Sequence, residues 1–300
     1  MLFLKTVGKN TVSIHKNAPL VLAIGVFDGV HLGHQRVIQN AIGMASSIGG
    51  KSAVYTFLPH PTEILGNRKN LILTYEQKAM QLGKLNIDYM VEQHFDREFA
   101  SLSPDDFMDM LKHKFKTINT ICIGQNFRFG SGRTGNANYL QSLSSKIGIE
   151  VIVIQSLMAN GFRISSTRIR QELIQGNLAT ANSMLGYNYY CRCLFERKNQ
   201  VADILISTFR VQNEQQIYPG IYSINILSTN EIYHGIADYY NDDKISRIDV
   251  YLIEYQVTFT SSIDVEFLSF IDEKNQLLTP HQRATQMKRS MKNTWKNQKN

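Results

Sequence analysis

Apolar runs of strand length alternate with runs of helical periodicity over the first 155 residues, and that rhythm confines a chain to a parallel sheet covered by helices. The strand-like runs are 19–26, 52–58, 87–92, 118–123 and 149–154. Between the first two, 34–48 places Val37, Ile38, Ala41, Ile42, Ala45 and Ile48 on one helical face. Thr74 with Gln77 forms a capping box at a second helix start, and Ser103-Pro104 sets an N-cap before an N1 proline at a third. After Ser165 the rhythm changes. Two short helices are expected over 167–175 and 178–185, with Gly176 and Gly186 placed as C-caps, followed by a boundary at 186–190. From 190 to 271 the signals are β: CRCLFE, ADILIST, GIYSINIL, EIYHGIADYY, IDVYLIEYQVTF and IDVEFLSF, separated by polar turns, as in a small barrel or sandwich. Thr279-Pro280, with Gln282 completing a capping box, opens a last helix. At 300 residues and 43% hydrophobic content the chain can supply two cores, so two domains are expected, 1–187 and 188–300.

Charge and cysteine content narrow the class of protein. The formal charge is +7, but residues 281–300 carry Arg283, Lys288, Arg289, Lys292, Lys296 and Lys299 and no acid, so the rest of the chain stands at +1. The basicity is a property of the tail, read as solvated, and no nucleic-acid partner is expected. The opening MLFLKTVGKN is no signal peptide and eighteen apolar residues never run together, so neither a membrane span nor secretion is expected and the setting is cytoplasmic. Cys122, Cys191 and Cys193 form an odd set without disulfide or zinc-site spacing and are expected as reduced thiols.

The densest chemical signal is Gly25-Val26-Phe27-Asp28-Gly29-Val30-His31-Leu32-Gly33-His34, where the first strand run gives way to a helix. Such a junction offers free backbone N–H groups and a positive dipole end, which suit phosphate. Glycines at 25, 29 and 33 allow close approach, and two imidazoles three residues apart can donate to phosphate oxygens. The alternative is a helix-capping histidine beside a packed one. Arg163-Ile164-Ser165-Ser166-Thr167-Arg168-Ile169-Arg170 follows the fifth strand run and opens a helix, where hydroxyls, N–H groups and forked guanidinium donors can hold a polyphosphate. An N-cap with solvated arginines is the plainer reading of that segment. Gly130-Ser131-Gly132-Arg133-Thr134-Gly135 matches GxGxxG but does not open directly from a strand, so it is read as a mobile loop and not as a dinucleotide site. A P-loop pattern is absent from the sequence.

These clusters, together with Thr56-Phe57-Leu58-Pro59-His60-Pro61 and Gly124-Gln125-Asn126-Phe127-Arg128-Phe129-Gly130, resemble the prokaryotic FAD synthetases, bifunctional riboflavin kinase/FMN adenylyltransferases. The resemblance implies a Rossmann-like HxGH nucleotidyltransferase domain, then a riboflavin-kinase-like barrel, and a reaction joining FMN to the AMP part of ATP to give FAD and pyrophosphate. It implies that His31 and His34 contact ATP phosphates, with His34 the main stabiliser of the transition state. Gly25, Phe27, Gly29 and Gly33 would line the nucleotide site. Ser165, Ser166, Thr167 and Arg170, with Arg168 beside them, would hold the leaving pyrophosphate. Phe57, Pro59, His60, Asn126, Phe127, Arg128 and Phe129 would lie by the flavin. Mg²⁺ would arrive with ATP and be held by phosphates and water; Asp28 orients a metal-bound water or simply turns the chain, and no direct protein ligand is assigned.

The second domain departs from the pattern. The kinase barrel of the family opens with a glycine-rich loop and Pro-Thr-Ala-Asn, yet 187–219 holds no glycine and no such motif. Pro219-Gly220-Ile221-Tyr222, Tyr233-His234-Gly235-Ile236-Ala237 and Ile248-Asp249-Val250-Tyr251-Leu252 still resemble barrel strands, with Asp249 where the family has a catalytic Glu. A barrel without kinase activity is expected. A fully bifunctional enzyme and a flavin-binding regulator are the alternatives.

Overall fold

A computed structural model describes residues 2–6 (backbone), 18–66, 70–159, 161–201, 204–212, 215–227, 231–242, 245–252, 259 and 261–272. The helix expected from Thr279 lies outside the described residues. The chain divides into two compact units, 1–69 with 75–165, and 70–74 with 166–300.

The elements of the first unit are β1 (Leu2–Thr6), β2 (Leu20–Ile24), α1 (Leu32–Ser47), β3 (Lys51–Leu58), α2 (Pro61–Ile64), α3 (Tyr75–Gly83) and β4 (Tyr89–His94). They continue with α4 (Arg97–Ser101), α5 (Pro104–Lys114), β5 (Ile118–Gly124), β6 (Arg128–Phe129), β7 (Gly135–Asn136), α6 (Ala137–Ser145), β8 (Glu150–Ile154), β9 (Met158–Ala159) and β10 (Phe162–Arg163). Six strands form one sheet in the order β1-β4-β3-β2-β5-β8, every pair parallel. The five strand runs read from sequence are the four inner members and the β8 edge; the other edge, β1, has no counterpart among them. All five residues of the central β2 are buried, as expected of a strand covered on both faces. Helix α1 buries Val37, Ile38, Ala41 and Ala45. Ile48 is not on that face: the helix ends at Ser47, and Ile48, its C-cap, is 36% exposed. Ser103 caps α5 as expected, accepting from the Asp106 N–H, with Pro104 at its start.

Strand order fixes where a ligand can sit. From β2 the chain steps to β3 and β4 on one side, then crosses back so that β5 lies on the other side of β2. The carboxyl ends of β2 and β5 therefore flank a topological switch point, where open α/β sheets bind ligands. Gly25–His34 leaves β2 there and Gln125–Phe129 leaves β5 there. The GxGxxG segment joins β6 to β7, which pair as an antiparallel hairpin. A Cβ on Gly135 would meet the Phe129 ring at 2.6 Å and one on Gly130 (φ 71°) would meet Pro104 at 2.8 Å, so these glycines serve close packing.

The second unit begins with α7 (Ser166–Ile174) and α8 (Leu178–Leu185), each within a residue of the helices read from sequence. Gly176 (φ 83°) and Gly186 (φ 78°) adopt the left-handed conformation as expected, and Gly186 is the C-cap of α8. Then β11 (Tyr190–Val201), β12 (Ile204–Val211), β13 (Gly220–Leu227), β14 (Ile232–Asp242), β15 (Ile245–Leu252) and β16 (Ile263–Asp272) close an antiparallel barrel in the order β11-β12-β15-β14-β13-β16. Each corresponds to one of the six β signals. Phe209, Tyr222, Tyr239 and Phe267 are wholly buried, and Tyr222 meets Phe267 edge-on at 5.2 Å between centroids. Cys122, Cys191 and Cys193 are free and buried.

Candidate active site

The turn after β2 is built to present the two histidines. Phe27 (φ 55°) and Val30 (φ 36°) occupy the left-handed region despite carrying side chains, as does Gly29 (φ 81°). Such conformations are strained for L-residues and persist where surrounding structure holds them. The Phe27 ring, 2% exposed, fills the turn: a Cβ on Gly25 would lie 3.0 Å from it. On its other side Phe27 meets the His34 ring edge-on at 5.3 Å. Asp28 and His31 are each 5% exposed.

His31 is the N-cap of α1, and its Nδ1 accepts the backbone N–H of His34 at 3.2 Å. An accepting Nδ1 places the proton of a neutral ring on Nε2. The capping alternative thus describes one edge of His31 and defines the tautomer that its other edge presents. The two imidazoles stack at 3.6 Å with 16° between planes, and a Cβ on Gly33 would press to 3.1 Å from Cε1 of His31. Glycine between the histidines is therefore a condition of the stack. Enclosure, then His31, then Lys78 hold the His34 imidazole well below its ordinary value, so it is neutral at pH 7.

The opening of Arg163–Arg170 reaches the same turn, the Ile164 carbonyl lying 3.9 Å from the Cβ position of Gly33. Further along, Arg170 Nε donates to the Asn70 carbonyl at 2.6 Å. Arg168 is ion-paired with Glu172, itself 2% exposed and accepting from Asn177 at 2.8 Å. Ser165, Ser166 and Thr167 stand at the helix start and before it, as read from sequence.

Among the residues expected near the flavin, Phe57 and Phe129 are joined by an aromatic chain through Phe99 and Phe107, with centroid spacings of 5.8, 6.2 and 5.3 Å. Phe127 stacks on Phe129 at 5.5 Å. Phe57 and Phe129 are buried; Asn126 and Arg128 are exposed, Asn126 donating to Ser156 Oγ at 3.0 Å and Arg128 to the Phe127 carbonyl at 3.1 Å. Pro59 follows a cis peptide bond. His60 caps α2, its Nδ1 accepting from Thr62 N at 3.2 Å.

Sequence reading missed what lies beneath the turn. Lys78 of α3, 8% exposed, donates to Thr56 Oγ1 at 3.2 Å and to the Val26 carbonyl at 3.5 Å, while Thr56 Oγ1 donates to the same carbonyl at 3.0 Å. A lysine in YEQKAM carries no periodicity signal, because a charged residue reads as solvent-facing.

Comparison with known proteins fits this geometry. The FAD synthetase family model matches residues 13–168. Proteins described as bifunctional riboflavin kinase/FMN adenylyltransferase are similar over most of the chain: that of Listeria monocytogenes is 31% identical, covering 78% of each chain. That of Escherichia coli is 31% identical over 70% of this chain and 69% of its own, and that of Bacillus subtilis 29% over 84% of both. A solved structure described as a macrolide-efflux protein from Streptococcus pneumoniae matches with a TM-score of 0.84 and 21% identity, covering 97% of this chain and 98% of that one. At that identity the likeness shows the fold alone, and among the described residues no helix is long and apolar enough to cross a membrane. With the HxGH turn at the switch point, the barrel behind it in sequence and these matches together, the chain belongs to the FAD synthetase family.

Proposed function

We propose that the chain is an FMN adenylyltransferase, converting ATP and FMN to FAD and pyrophosphate. The stacked His31–His34 pair on a helix start at the switch point is the observation that carries this reading. An oxygen of the FMN phosphate attacks the α-phosphorus of ATP in line, a new P–O bond forms, and the bond to the β-phosphate oxygen breaks. No proton need move, because the nucleophile is already an anion at pH 7. The protein's part is positioning and charge neutralisation: His31 and His34 on the phosphates, and Ser165, Ser166, Thr167 and Arg170 on the departing pyrophosphate. Arg168 adds charge nearby from its pair with Glu172. Gly25, Phe27, Gly29 and Gly33 shape the nucleotide side; Phe57, Pro59, His60, Asn126, Phe127, Arg128 and Phe129 face the flavin.

Among the described residues no cluster of three His, Cys, Asp or Glu side chains is placed to hold a metal. Mg²⁺ is taken to be carried in on ATP, with Asp28 orienting one of its waters; the ion would supply charge neutralisation of the triphosphate. Three buried thiols fit a reducing, cytoplasmic setting. The transfer module is taken as 1–187 and the barrel domain as 188–300.

The barrel is read as lacking kinase activity. Asp249, where the family has its Glu, accepts from Thr208 Oγ1 at 2.7 Å and from the Tyr240 hydroxyl at 3.4 Å on the same oxygen. That carboxylate, one methylene shorter, is held by two hydroxyls, and the stretch 187–219 has no glycine loop for phosphate. Incubation with ATP and Mg²⁺ plus either FMN or riboflavin tests both parts. FAD from FMN, lost by roughly 10²–10³-fold in His34→Ala, with no FMN from riboflavin, is the expected pattern. FMN formed from riboflavin would show the barrel to be a kinase.

A further inference from the structure

The polar cluster beneath the turn has no part in the motifs above. We propose that Lys78 is a positioning residue of the transfer site: its ammonium pins the turn that carries His31 and His34 and places a fixed positive charge beside His34. This rests on the adenylyltransferase reading.

Three observations carry it. First, the contacts converge on one backbone carbonyl: Lys78 Nζ and Thr56 Oγ1 both reach Val26 O, and Lys78 also reaches Thr56 Oγ1. Val26 lies between Gly25 and the left-handed Phe27, so the pin acts where the strained turn begins. Second, the amine is enclosed, and a buried cation in this chain has a small set of counter-charges: Asp28 from the turn and Glu92 from β4, which also takes the Tyr75 hydroxyl. Burying an ammonium is costly unless it is paired or used, and here one of its two acidic neighbours belongs to the turn itself. Third, Lys78 acts on His34 electrostatically, adding to enclosure and to His31 in keeping that ring neutral. A neutral His34 donates one hydrogen bond without its own charge, and the positive charge that a transferring phosphate needs is then supplied by a side chain that cannot move away.

Burial lowers the Lys78 ammonium to about 8, with Asp28 and Glu92 opposing the shift. Below that pH the charge is present; above it the free protein loses the charge. The groups facing the amine are Asp28, Glu92 and His34, with His31 behind His34 and Tyr75 behind Glu92.

Lys78→Met retains the side-chain length and leaves Thr56 its own bond to Val26 O. For FAD formation, kcat is expected to fall about tenfold or more with the KM for FMN within twofold. In the native protein kcat/KM for ATP should fall above about pH 8, a limb that Lys78→Met abolishes and Lys78→Arg, charged at every pH, moves beyond the range measured. A folded Lys78→Met that keeps native kcat and the same alkaline limb would overturn the inference. A second readout needs no catalysis: in histidine-labelled full-length protein, the His34 resonance, assigned with His34→Gln, should titrate at higher pH in Lys78→Met than in the native chain. An unchanged titration would overturn the inference even if the protein made no FAD, whereas a native protein that makes no FAD but shows the shift would fail the adenylyltransferase reading alone.

Discussion

Gly33→Ala separates stability from chemistry in a way the stacked imidazoles make quantitative. Gly33 lies in the first turn of α1, where alanine is ordinarily the better helix former by up to about 1 kcal/mol. Its new Cβ would stand 3.1 Å from Cε1 and 3.2 Å from Nδ1 of His31. Carbon contacts relax to roughly 3.5–4.0 Å, so the ring must yield by about 0.4 Å. Misplacing a catalytic group by 1 Å costs on the order of 100-fold, so this shift is expected to lower kcat about tenfold, or about 1.4 kcal/mol in the barrier. The helix itself should not be weakened. Gly43 in the same helix is the control, since a Cβ there meets nothing within 4 Å. Gly43→Ala should raise stability by about 0.5–1 kcal/mol and leave kcat alone. The assay is FAD formation at saturating FMN and ATP alongside chemical denaturation of both variants. Native kcat in Gly33→Ala, or an equal loss in Gly43→Ala, would refute the claim that the imidazole stack sets the rate.

Other consequences follow from the same contacts. Arg168→Gln leaves Glu172, 2% exposed, without its cation, and should cost about 3 kcal/mol in denaturant unfolding, more than an exposed ion pair would. Burial pushes the Cys122 and Cys191 thiols up to about 12 and raises Cys193 as well, so a thiol reagent at pH 8 should label none of the three until the protein unfolds. Lys78 is held near 8 in the folded protein against an ordinary 10.5, so the unfolded chain binds the extra proton between those values. Lys78 and Lys114, both lowered to about 8 by burial, therefore each contribute stability that grows with pH from about 8 to 10.5, while the three buried thiols contribute the opposite sign above their ordinary 9.0; Lys78→Met removes one of the two favourable contributions and should make stability fall more steeply as pH rises above 8.

The readable parts of the fold were those where one chemical signal decides. Continuous apolar runs marked the covered strands, as in β2 with all five residues buried, and Gly186 marked the end of α8 by its left-handed φ of 78°. Edge strand β1 escaped because five residues paired on one side only, to β4, carry too short a pattern. The hairpin of β6 and β7 escaped because its glycines answer to Phe129 and Pro104, neighbours that only the folded chain reveals. At the site, HxGH was legible because two imidazoles and a glycine within four positions have few structural uses. A helix-capping histidine was legible as an alternative, but the role of Gly33 in spacing the rings and Lys78 beneath the turn were not: each depends on a through-space contact, and a lysine one turn into a helix reads as surface. Gln77, Lys78 and Gln81 are all buried on α3, which inverts the usual equation of polar with exposed.

The most direct test of the account is the stoichiometry of the purified full-length protein acting on FMN and ATP with Mg²⁺, reading FAD and pyrophosphate together. One FAD per pyrophosphate, with His34→Ala reduced by orders of magnitude, is the predicted result. Absence of both products from folded protein, or ADP in place of pyrophosphate, would contradict adenylyl transfer at this turn.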